Sequence, residues 1–193
     1  MEGKIITTTM REILPPIPVK LFIGMLSPEP MLFGTCTDIL CREYGPVDYQ
    51  SEIAPWTNSD FYQEEMGAGI LRKFIFFEHM MDPGDLSAIK INATMIEKNF
   101  SVQADNRVRR RINLDPGYVT EAKVVLATTK DYSHRIYIGK GLYAEVTLRY
   151  GNKGRSFTPL AHTYLDYGSE QYITMFNKAR ELLRTALQRP ARK

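Results

Sequence analysis

The sequence predicts an α+β domain with a ferredoxin-like β-α-β-β-α-β core, an appended antiparallel meander and a C-terminal helix. Three observations predict this fold. Apolar strand-like runs and amphipathic segments alternate in the order of a split βαβ arrangement in the first part of the chain. Two further strand-like runs flank a glycine-containing turn in the second part, and the end of the chain repeats apolar residues at helical spacing.

Length and composition indicate a single domain. A chain of 193 residues is long enough to bury one sizeable core. We expect residues 1–18, which end in three closely spaced prolines, to form a disordered or extended lead-in, and residues 19–193 to form the domain. No apolar run approaches the roughly 18 residues that cross a bilayer, and the start lacks a secretory pattern. These features predict a cytoplasmic protein that does not enter the membrane.

The first strand and helix are marked by a change in residue pattern. The apolar run at 20–27 predicts a buried strand, and Ser27-Pro28-Glu29 supplies an N-cap hydroxyl, a proline in the first turn and a favourably placed acid. Gly45-Pro46 ends this helix. Cys36 and Cys41 lie five positions apart within it, so they cannot bridge, and we expect both to be reduced thiols.

Three more strands and one helix complete the predicted core. The weakly alternating segment 47–56 predicts the second strand, and the aromatic run 69–80 predicts the third. Asp82-Pro83 opens a helix with apolar residues at offsets of three and four, while Lys90 and Glu97 fall on its polar face. Segment 107–114 predicts the fourth strand, which runs into Asp115. Both helices are expected on one face of the sheet.

The meander carries the most specific geometric prediction. A three-residue loop at 139–141 places Tyr137 opposite Tyr143 and Arg135 opposite Glu145, whereas a two-residue loop would scramble the apolar and polar faces. Continuing through the turn at 151–154 pairs Leu148 with Phe157 and puts His162 beside Tyr143. One face then carries Arg135, Tyr137, Tyr143, Glu145, Thr147, Thr158 and His162. This face is interpreted either as a polar pocket floor or as a solvated surface with a weak ion pair. The final helix begins near Ser169.

The sequence Asp115-Pro116-Gly117-Tyr118 has the residue types of a type II turn, with proline at the second position and glycine at the third. One interpretation is a tight corner with Tyr118 packed beneath it. The other is a turn that directs the Asp115 carboxylate into a site.

Six motifs together resemble a known family: NLDPGYVT, ATTKDYSHRIYI, GLYAEVTL, HTYLDY, EEMG and FFEH. They resemble the uncharacterised bacterial family called domain of unknown function 4416, whose defining motif is DPGY, over residues 19–187. The resemblance implies a prokaryotic single-domain protein and carries no demonstrated reaction. Some members bear the label of GTP-binding protein, but this chain has no P-loop, since its Gly-Lys segments are hairpin loops.

The sequence gives little support to a zinc site, a serine hydrolase, a magnesium site or a nucleic-acid interface. The three histidines have no zinc-type spacing with cysteine, and no nucleophile elbow occurs. The acids Glu65, Glu78, Asp115 and Glu145 either converge on Mg²⁺ or are scattered and solvated. A net charge of +3 is too small to argue for nucleic acid by itself, although basic residues gather at 107–111 and 180–193.

Three functional hypotheses follow. The first is a domain that binds a phosphate-bearing small molecule or a nucleotide such as GTP. Its ligand-binding residues would be Arg111, Asp115, Tyr118, Lys130, Arg135 and Tyr143, with Glu145 and His162 able to move a proton. The second is a phosphoryl-transfer or hydrolytic enzyme whose Mg²⁺ is held by Asp115 and Glu145. The third is an RNA-binding or protein-interaction module that uses the basic segments. The sequence does not decide whether the protein is an enzyme, nor its oligomeric state.

Overall fold

The computed structural model describes residues 12–57, 62–104 and 107–188. Within these residues, the strands are β1 (Val19–Ser27), β2 (Val47–Gln50), β3 (Ala54–Pro55), β4 (Leu71–Met81), β5 (Val102–Ala104), β6 (Arg107–Arg109), β7 (Asn113–Val119), β8 (Lys123–Thr128), β9 (Ile136–Gly139), β10 (Leu142–Gly151) and β11 (Ser156–Pro159). The helices are α1 (Pro30–Tyr44), α2 (Gln63–Met66), α3 (Leu86–Asn99) and α4 (Glu170–Gln188). Residues 12–18 form no regular element. The rest of the predicted lead-in and the last five residues of the basic segment at the C-terminus lie outside the described residues.

One antiparallel sheet organises the domain. Its strand order is β11-β10-β8-β7-β1-β4-β2, with β3 beside β4 and β9 beside β10. The mixed α+β content, the antiparallel sheet and the C-terminal helix are therefore confirmed. No described helix is both long enough and apolar enough to cross a membrane.

Helices cover both faces of the sheet. Helices α1 and α3 pack on one face against β1 residues such as Ile23, and α4 packs on the other against Phe22, Phe74 and Phe76. All nine residues of β1 are buried. A strand covered on both sides needs apolar residues at nearly every position, which explains why this run does not alternate.

The predicted strand at 107–114 is wrong, because the segment is divided between two sheets. Residues of β6 are exposed and pair with β5 in a separate two-stranded sheet, whereas β7 starts only at Asn113 and joins the main sheet. A charged side chain such as Arg107 would need an ionic partner to enter a sheet that helices cover on both faces, as Lys20 of β1 has in Asp48.

The DPGY motif is not a turn, which corrects the sequence prediction. It lies within β7, where Asp115, Pro116 and Gly117 pair with consecutive residues of β1. Strand β8 pairs with β7 only from Gly117 to Val119, so the two strands separate at Pro116, which has no N–H for a ladder hydrogen bond. The glycine is needed for close approach: a Cβ on Gly117 would lie 2.3 Å from the carbonyl oxygen of Val125.

Strand β8 was not predicted as a strand from the sequence. Its residues Val124, Val125, Leu126 and Ala127 are all buried, because the strand lies between β7 and β10 in the middle of the sheet. The predicted meander is therefore a direct extension of the main sheet.

The two hairpin registers depart from the predicted ones. Leu142 pairs with Gly139, so the first loop has two residues, Lys140 and Gly141, both at positive φ as a type I′ turn requires. A register shift then restores the predicted pairing of Tyr143 with Tyr137. In the second hairpin Leu148 pairs with Pro159 and Tyr150 with Phe157, so the prediction that Leu148 pairs with Phe157 is wrong by two residues.

A bulge also changes the faces of β10. The register shifts between Val146 and Leu148, so Leu148 packs with Leu126 and Phe157 on the α4 face. Ala144 and Val146 remain on the opposite face, so the strict alternation that would put all three residues on one face is interrupted in β10.

The outer edge of β10 is closed by the segment that follows β11. His162 Nε2 lies 3.0 Å from the carbonyl oxygen of Val146, and the Thr163 hydroxyl donates to the carbonyl oxygen of Thr147. These side chains fill the gap between β9 and β11, which pair with the two ends of β10. The prediction that His162 lies beside Tyr143 is therefore wrong.

Candidate functional site

A cavity opens on the α4 face of the sheet, where β7 and β8 separate. Its volume is about 200 Å³. Its lining combines cations, carboxylates and aromatic rings. The lining residues are Leu26, Trp56, Tyr62, Arg72, Lys90, Arg110, Asn113, Asp115, Leu126, Ala127, Thr128, Thr129, Lys130, Glu145, Tyr164, Asp166 and Tyr167.

Strand register brings the sheet-borne part of the lining together. Leu26 pairs with both Arg72 of β4 and Asn113 of β7, and Glu145 of β10 pairs with Leu126 of β8. Gly24, opposite Asp115, leaves the space for the C-terminal segment, because a Cβ there would lie 3.3 Å from the Tyr167 hydroxyl oxygen.

Asp166 connects three parts of the cavity wall. Its Oδ2 accepts hydrogen bonds from Arg72 at 3.1 Å and from the Trp56 indole N–H at 3.2 Å. The Arg72 guanidinium also lies 4.7 Å from the Phe74 ring centroid and 5.4 Å from that of Tyr167. The ion pair with Asp166 and the two rings hold a buried cation in the wall.

Two buried polar atoms beside Asp166 lack a hydrogen-bond partner among the described residues. They are Nε of Arg72 and the hydroxyl of Tyr167. Burial raises the pKa of Tyr167, so its hydroxyl stays protonated and remains a donor. Leaving such atoms unpaired costs stability, and sites that bind ligands commonly carry this cost.

Lys90 reaches the cavity from the other face of the sheet. It belongs to α3, and its Nζ donates to the carbonyl oxygen of Leu114 at 2.8 Å and to Asp115 Oδ1 at 3.3 Å. The residue is only 6% exposed. Lys90 and Glu97, which the helical pattern assigns to the face opposite the apolar one, are both buried against β7.

A chain of polar contacts continues from Asp115 to α2. Asn113 Nδ2 donates to Asp115 Oδ2 at 2.7 Å, and its Oδ1 accepts from Arg110 at 2.7 Å. Arg110 makes two hydrogen bonds of 2.6 Å to the Glu65 carboxylate, and this carboxylate raises the pKa of Arg110. Arg110 is thereby fixed as a permanent cation in the lining.

Arg135 stabilises the part of the cavity wall that contains Glu145 and Tyr164. Its Nε donates to Glu145 Oε2 at 2.7 Å, so the predicted Arg135–Glu145 pair is confirmed. The same guanidinium donates to the Tyr164 hydroxyl at 2.8 Å and to the carbonyl oxygen of Lys130 at 3.0 Å. Glu145 also lies 3.2 Å from His134 Nε2. The pair is buried and forms part of a cavity wall, which excludes the alternative of a solvated surface pair.

The model of the family described as domain of unknown function (DUF4416) matches residues 17–183. The chain belongs to this family. All residues that line the cavity fall inside the DUF4416 match. No curated protein and no solved structure matches the chain.

The structure brings only some of the sequence-predicted site residues of this DUF4416 domain together. Asp115, Lys130 and Glu145 line the cavity, and Arg135 lies directly behind Glu145. Four others lie elsewhere. Arg111 pairs with Glu29, Tyr118 packs against Val125 on the opposite face, Tyr143 contacts Tyr137, and His162 stacks on His134 with ring centroids 4.2 Å apart.

Sequence reasoning missed most of the polar lining. The missed residues are Trp56, Tyr62, Arg72, Lys90, Arg110, Asn113, Thr128, Thr129, Tyr164, Asp166 and Tyr167. One signal was present, because Arg72 alternates with Phe74 and Phe76 and so falls on the same face of β4 as these buried rings. A charge at a position that a central strand buries requires a partner, and this rule identifies Arg72 as a site candidate.

The lining offers no obvious set of metal ligands. Within the described residues, no group of three His, Cys, Asp or Glu side chains could hold a metal ion. Of the four acids considered for Mg²⁺, only Asp115 and Glu145 line the cavity. Their oxygens already accept hydrogen bonds from Lys90, Asn113 and Arg135.

Proposed function

We propose that this DUF4416 protein binds a small phosphate-bearing molecule in the cavity. The observation that carries the proposal is the charge of the lining, which holds the four cations Arg72, Lys90, Arg110 and Lys130 against three carboxylates. Guanidinium and ammonium groups in a partly enclosed space are the usual partners of phosphate oxygens in proteins.

The carboxylates of the lining do not oppose such a ligand. Asp166 is paired with Arg72, Asp115 with Lys90, and Glu145 with Arg135 from behind the wall. These pairs also engage Arg72 and Lys90, and Arg110 is paired with Glu65, so an entering anion is attracted by the net positive charge of a lining in which four cations face three carboxylates, and not by four independent cations. Hydroxyl groups of Thr128 and Thr129 supply neutral donors next to Lys130.

The size of the cavity favours a small ligand over a whole nucleotide. Ligand sites for drug-sized molecules usually measure about 300–1,000 Å³, whereas this cavity holds about 200 Å³. A nucleotide such as GTP would leave part of its structure outside. The rings of Trp56, Tyr62, Tyr164 and Tyr167 suit a compact sugar or ring that carries the phosphate.

The two alternative functions have less support. A Mg²⁺-dependent enzyme would need Asp115 and Glu145 to give up their present partners. An RNA-binding or protein-interaction role would use β6, where Arg107 and Val108 are exposed, but no aromatic residue of β5 or β6 provides a base-stacking platform.

We also propose that the protein is cytoplasmic and that part of its sheet is a ferredoxin-like core. The order β2-β4-β1-β7, with α1 and α3 on one face, supports this assignment. In this arrangement the cavity lies on the face that α1 and α3 leave open, where β8 joins the core.

Trp56 provides a direct test of the proposed ligand class. It is the only tryptophan, and it lines the cavity. We expect inorganic phosphate and sugar phosphates to change the tryptophan emission in a saturable way and to bind more tightly than GTP. Unphosphorylated sugars should not change the emission. A ligand at 100 times its Kd should also stabilise the protein by about 2.7 kcal/mol.

Two charge reversals provide the matched control. Lys130→Glu removes a lining cation, whereas Lys153→Glu changes an exposed turn residue outside the lining. The first should weaken phosphate binding at least tenfold and the second should leave it within about twofold. Equal weakening by both, or no saturable response to any phosphate compound, would overturn the proposal.

A further inference from the structure

We propose that Lys90 forms an imine with the ligand, so that the substrate class of the cavity is a small phosphate-bearing aldehyde or ketone. This inference rests on the proposed phosphate binding and adds a covalent step to it. Lysine is the residue that condenses with carbonyl compounds, and a lysine removed from water beside other cations is the usual form of such a nucleophile.

The placement of Lys90 supports this role. Its α3 neighbours Ile89 and Ala93 pack into the core, yet Lys90 extends to a cavity on the far side of the sheet. Burying an ammonium group costs free energy that a surface lysine avoids. The two acceptors it meets, the Leu114 carbonyl and Asp115, keep the amine at the cavity wall.

A second buried lysine provides a contrast. Lys20 is fully buried, and its Nζ donates to both oxygens of Asp48 at 2.8 and 2.6 Å and to the carbonyl oxygen of Phe77 at 2.8 Å. These three bonds use all three donors of an ammonium group. Lys90 makes two such bonds within the described residues, and it lines the cavity described above, whereas Lys20 is not part of that lining. Lys20 therefore has the arrangement of a structural ion pair, and Lys90 has a position left for a ligand.

Asp115 is placed to move the protons of the reaction. Its Oδ1 lies 3.3 Å from Lys90 Nζ, and its Oδ2 is held by the Asn113 amide at 2.7 Å. Arg72 lies 3.8 Å away and adds positive charge on the same carboxylate. The Asp115 side chain is 24% exposed, so it remains accessible from the cavity.

The covalent step balances without an oxidant or reductant. Lys90 passes one ammonium proton to Asp115, and the freed nitrogen lone pair attacks the carbonyl carbon to form a C–N bond. The carbonyl oxygen takes up a proton from the attacking nitrogen and a second proton from Asp115, and it leaves as water. The product is a protonated imine that keeps the positive charge of the original ammonium, and Asp115 is ionised again.

The opposite end of the ligand would lie against the end of β8. Thr128, Thr129 and Lys130 line the same cavity as Lys90, so one compact molecule can place its phosphate at this loop and its carbonyl carbon at the amine. The carbonyl must therefore lie only a few bonds from the phosphate, because the enclosed space is about 200 Å³.

Reductive trapping tests the inference. The protein is incubated with glyceraldehyde 3-phosphate or pyridoxal 5′-phosphate, then reduced with borohydride and analysed by intact mass and peptide mapping. We expect one adduct per chain on Lys90 at low ligand concentration, suppression by excess inorganic phosphate, and no adduct in Lys90→Arg. Lys20 should stay unmodified in the folded protein.

The outcomes separate this inference from the proposed function. If phosphates change Trp56 emission but adducts fall on surface lysines and spare Lys90, the imine is refuted and phosphate binding stands. If Lys90 reacts equally with phosphorylated and unphosphorylated aldehydes, the amine is reactive but the phosphate proposal fails. Should Lys90→Arg not fold, wild-type peptide mapping still decides the site, and Asp115→Asn should slow adduct formation at least tenfold while Lys90 remains present.

Discussion

The carbonyl oxygen of Val125 lies 2.3 Å from the point that a Cβ atom on Gly117 would occupy. The Phe22 ring reaches within 2.5 Å of the same point from the neighbouring strand. Strands β1, β7 and β8 therefore meet at a glycine with no room for a methyl group. This contact stands at the point where β7 and β8 begin to separate around the cavity.

Gly117→Ala should destabilise the protein by about 1–3 kcal/mol, because the added methyl group must displace backbone or the Phe22 ring. Chemical denaturation measures this change. Gly34→Ala is the matched control: Gly34 is exposed within α1, and a Cβ there meets no atom within 4 Å. It should stabilise the protein by about 0.5–1 kcal/mol through helix propensity. Equal effects of the two changes would contradict the close packing at Gly117.

Arg135→Met should cost about 3 kcal/mol of unfolding free energy, since it leaves the Glu145 carboxylate buried without its guanidinium partner. Adding Glu145→Gln to this variant should restore part of the loss, because the remaining buried group is then neutral. Arg149→Met, at an exposed position of β10, should change stability by less than about 0.5 kcal/mol. Strictly additive effects of the Arg135 and Glu145 changes would show that the pair is not coupled.

The two cysteines should differ in reactivity. Cys36 is fully buried, and burial raises the pKa of its thiol to about 12, so almost no thiolate forms near neutral pH. Cys41 is partly exposed. Iodoacetamide should therefore alkylate Cys41 in the folded protein and Cys36 only after denaturation, as followed by mass spectrometry. Native Cys41→Ser should resist labelling, and rapid labelling of that variant would show that Cys36 is accessible.

Glu97 should make stability depend on pH. Burial raises its pKa above the ordinary value of 4.5, so the folded protein holds this proton to a higher pH than the unfolded chain. The contribution of Glu97 to stability is therefore largest below pH 4.5 and falls as pH rises through the raised pKa. Glu97→Gln removes this titration.

Denaturation curves from pH 4 to 8 test the Glu97 prediction. The unfolding free energy of Glu97→Gln relative to the wild type should rise with pH across this window and then level off. Glu181→Gln, at an exposed position of α4, is the control for removing a surface carboxylate. A flat difference for Glu97→Gln would mean that the Glu97 pKa is the same in the folded and unfolded states.

Local patterns predicted the local parts of the fold. The segment Ser27-Pro28-Glu29 predicted the start of α1 two residues early, because the helix begins at Pro30 and its N-cap is Glu29, whose side chain makes no cap hydrogen bond. Helical spacing identified α3 and α4. Strand β8 was missed because its apolar run lacks the alternation and turn residues that identify a half-buried strand. The DPGY motif was misinterpreted because Pro-Gly favours turns in general, whereas here the packing of three strands determines its conformation.

In the site too, contacts between residues close in sequence could be predicted, and contacts between distant residues could not. The Arg135–Glu145 pair was predicted correctly although the loop has two residues and not three, because a register shift after Leu142 restores the pairing of Tyr143 with Tyr137. Arg72 and Asp166 are 94 positions apart, and their pairing depends on how the C-terminal segment packs over the sheet. The position of the Lys90 ammonium group is still harder to predict from the sequence, because this group and its helix lie on different faces of the sheet. Such contacts arise from tertiary packing that no local periodicity encodes.

The contacts of His162 and Thr163 with β10 have a consequence for association between molecules. A bare strand edge exposes carbonyl and N–H groups that can template the addition of a strand from another chain. The two side chains form hydrogen bonds with the carbonyl oxygens of Val146 and Thr147. They belong to the same segment as Tyr164 and Asp166, which line the cavity. The segment that builds one wall of the site thus also protects this edge of the sheet against aggregation, so damage to it would endanger solubility together with ligand binding.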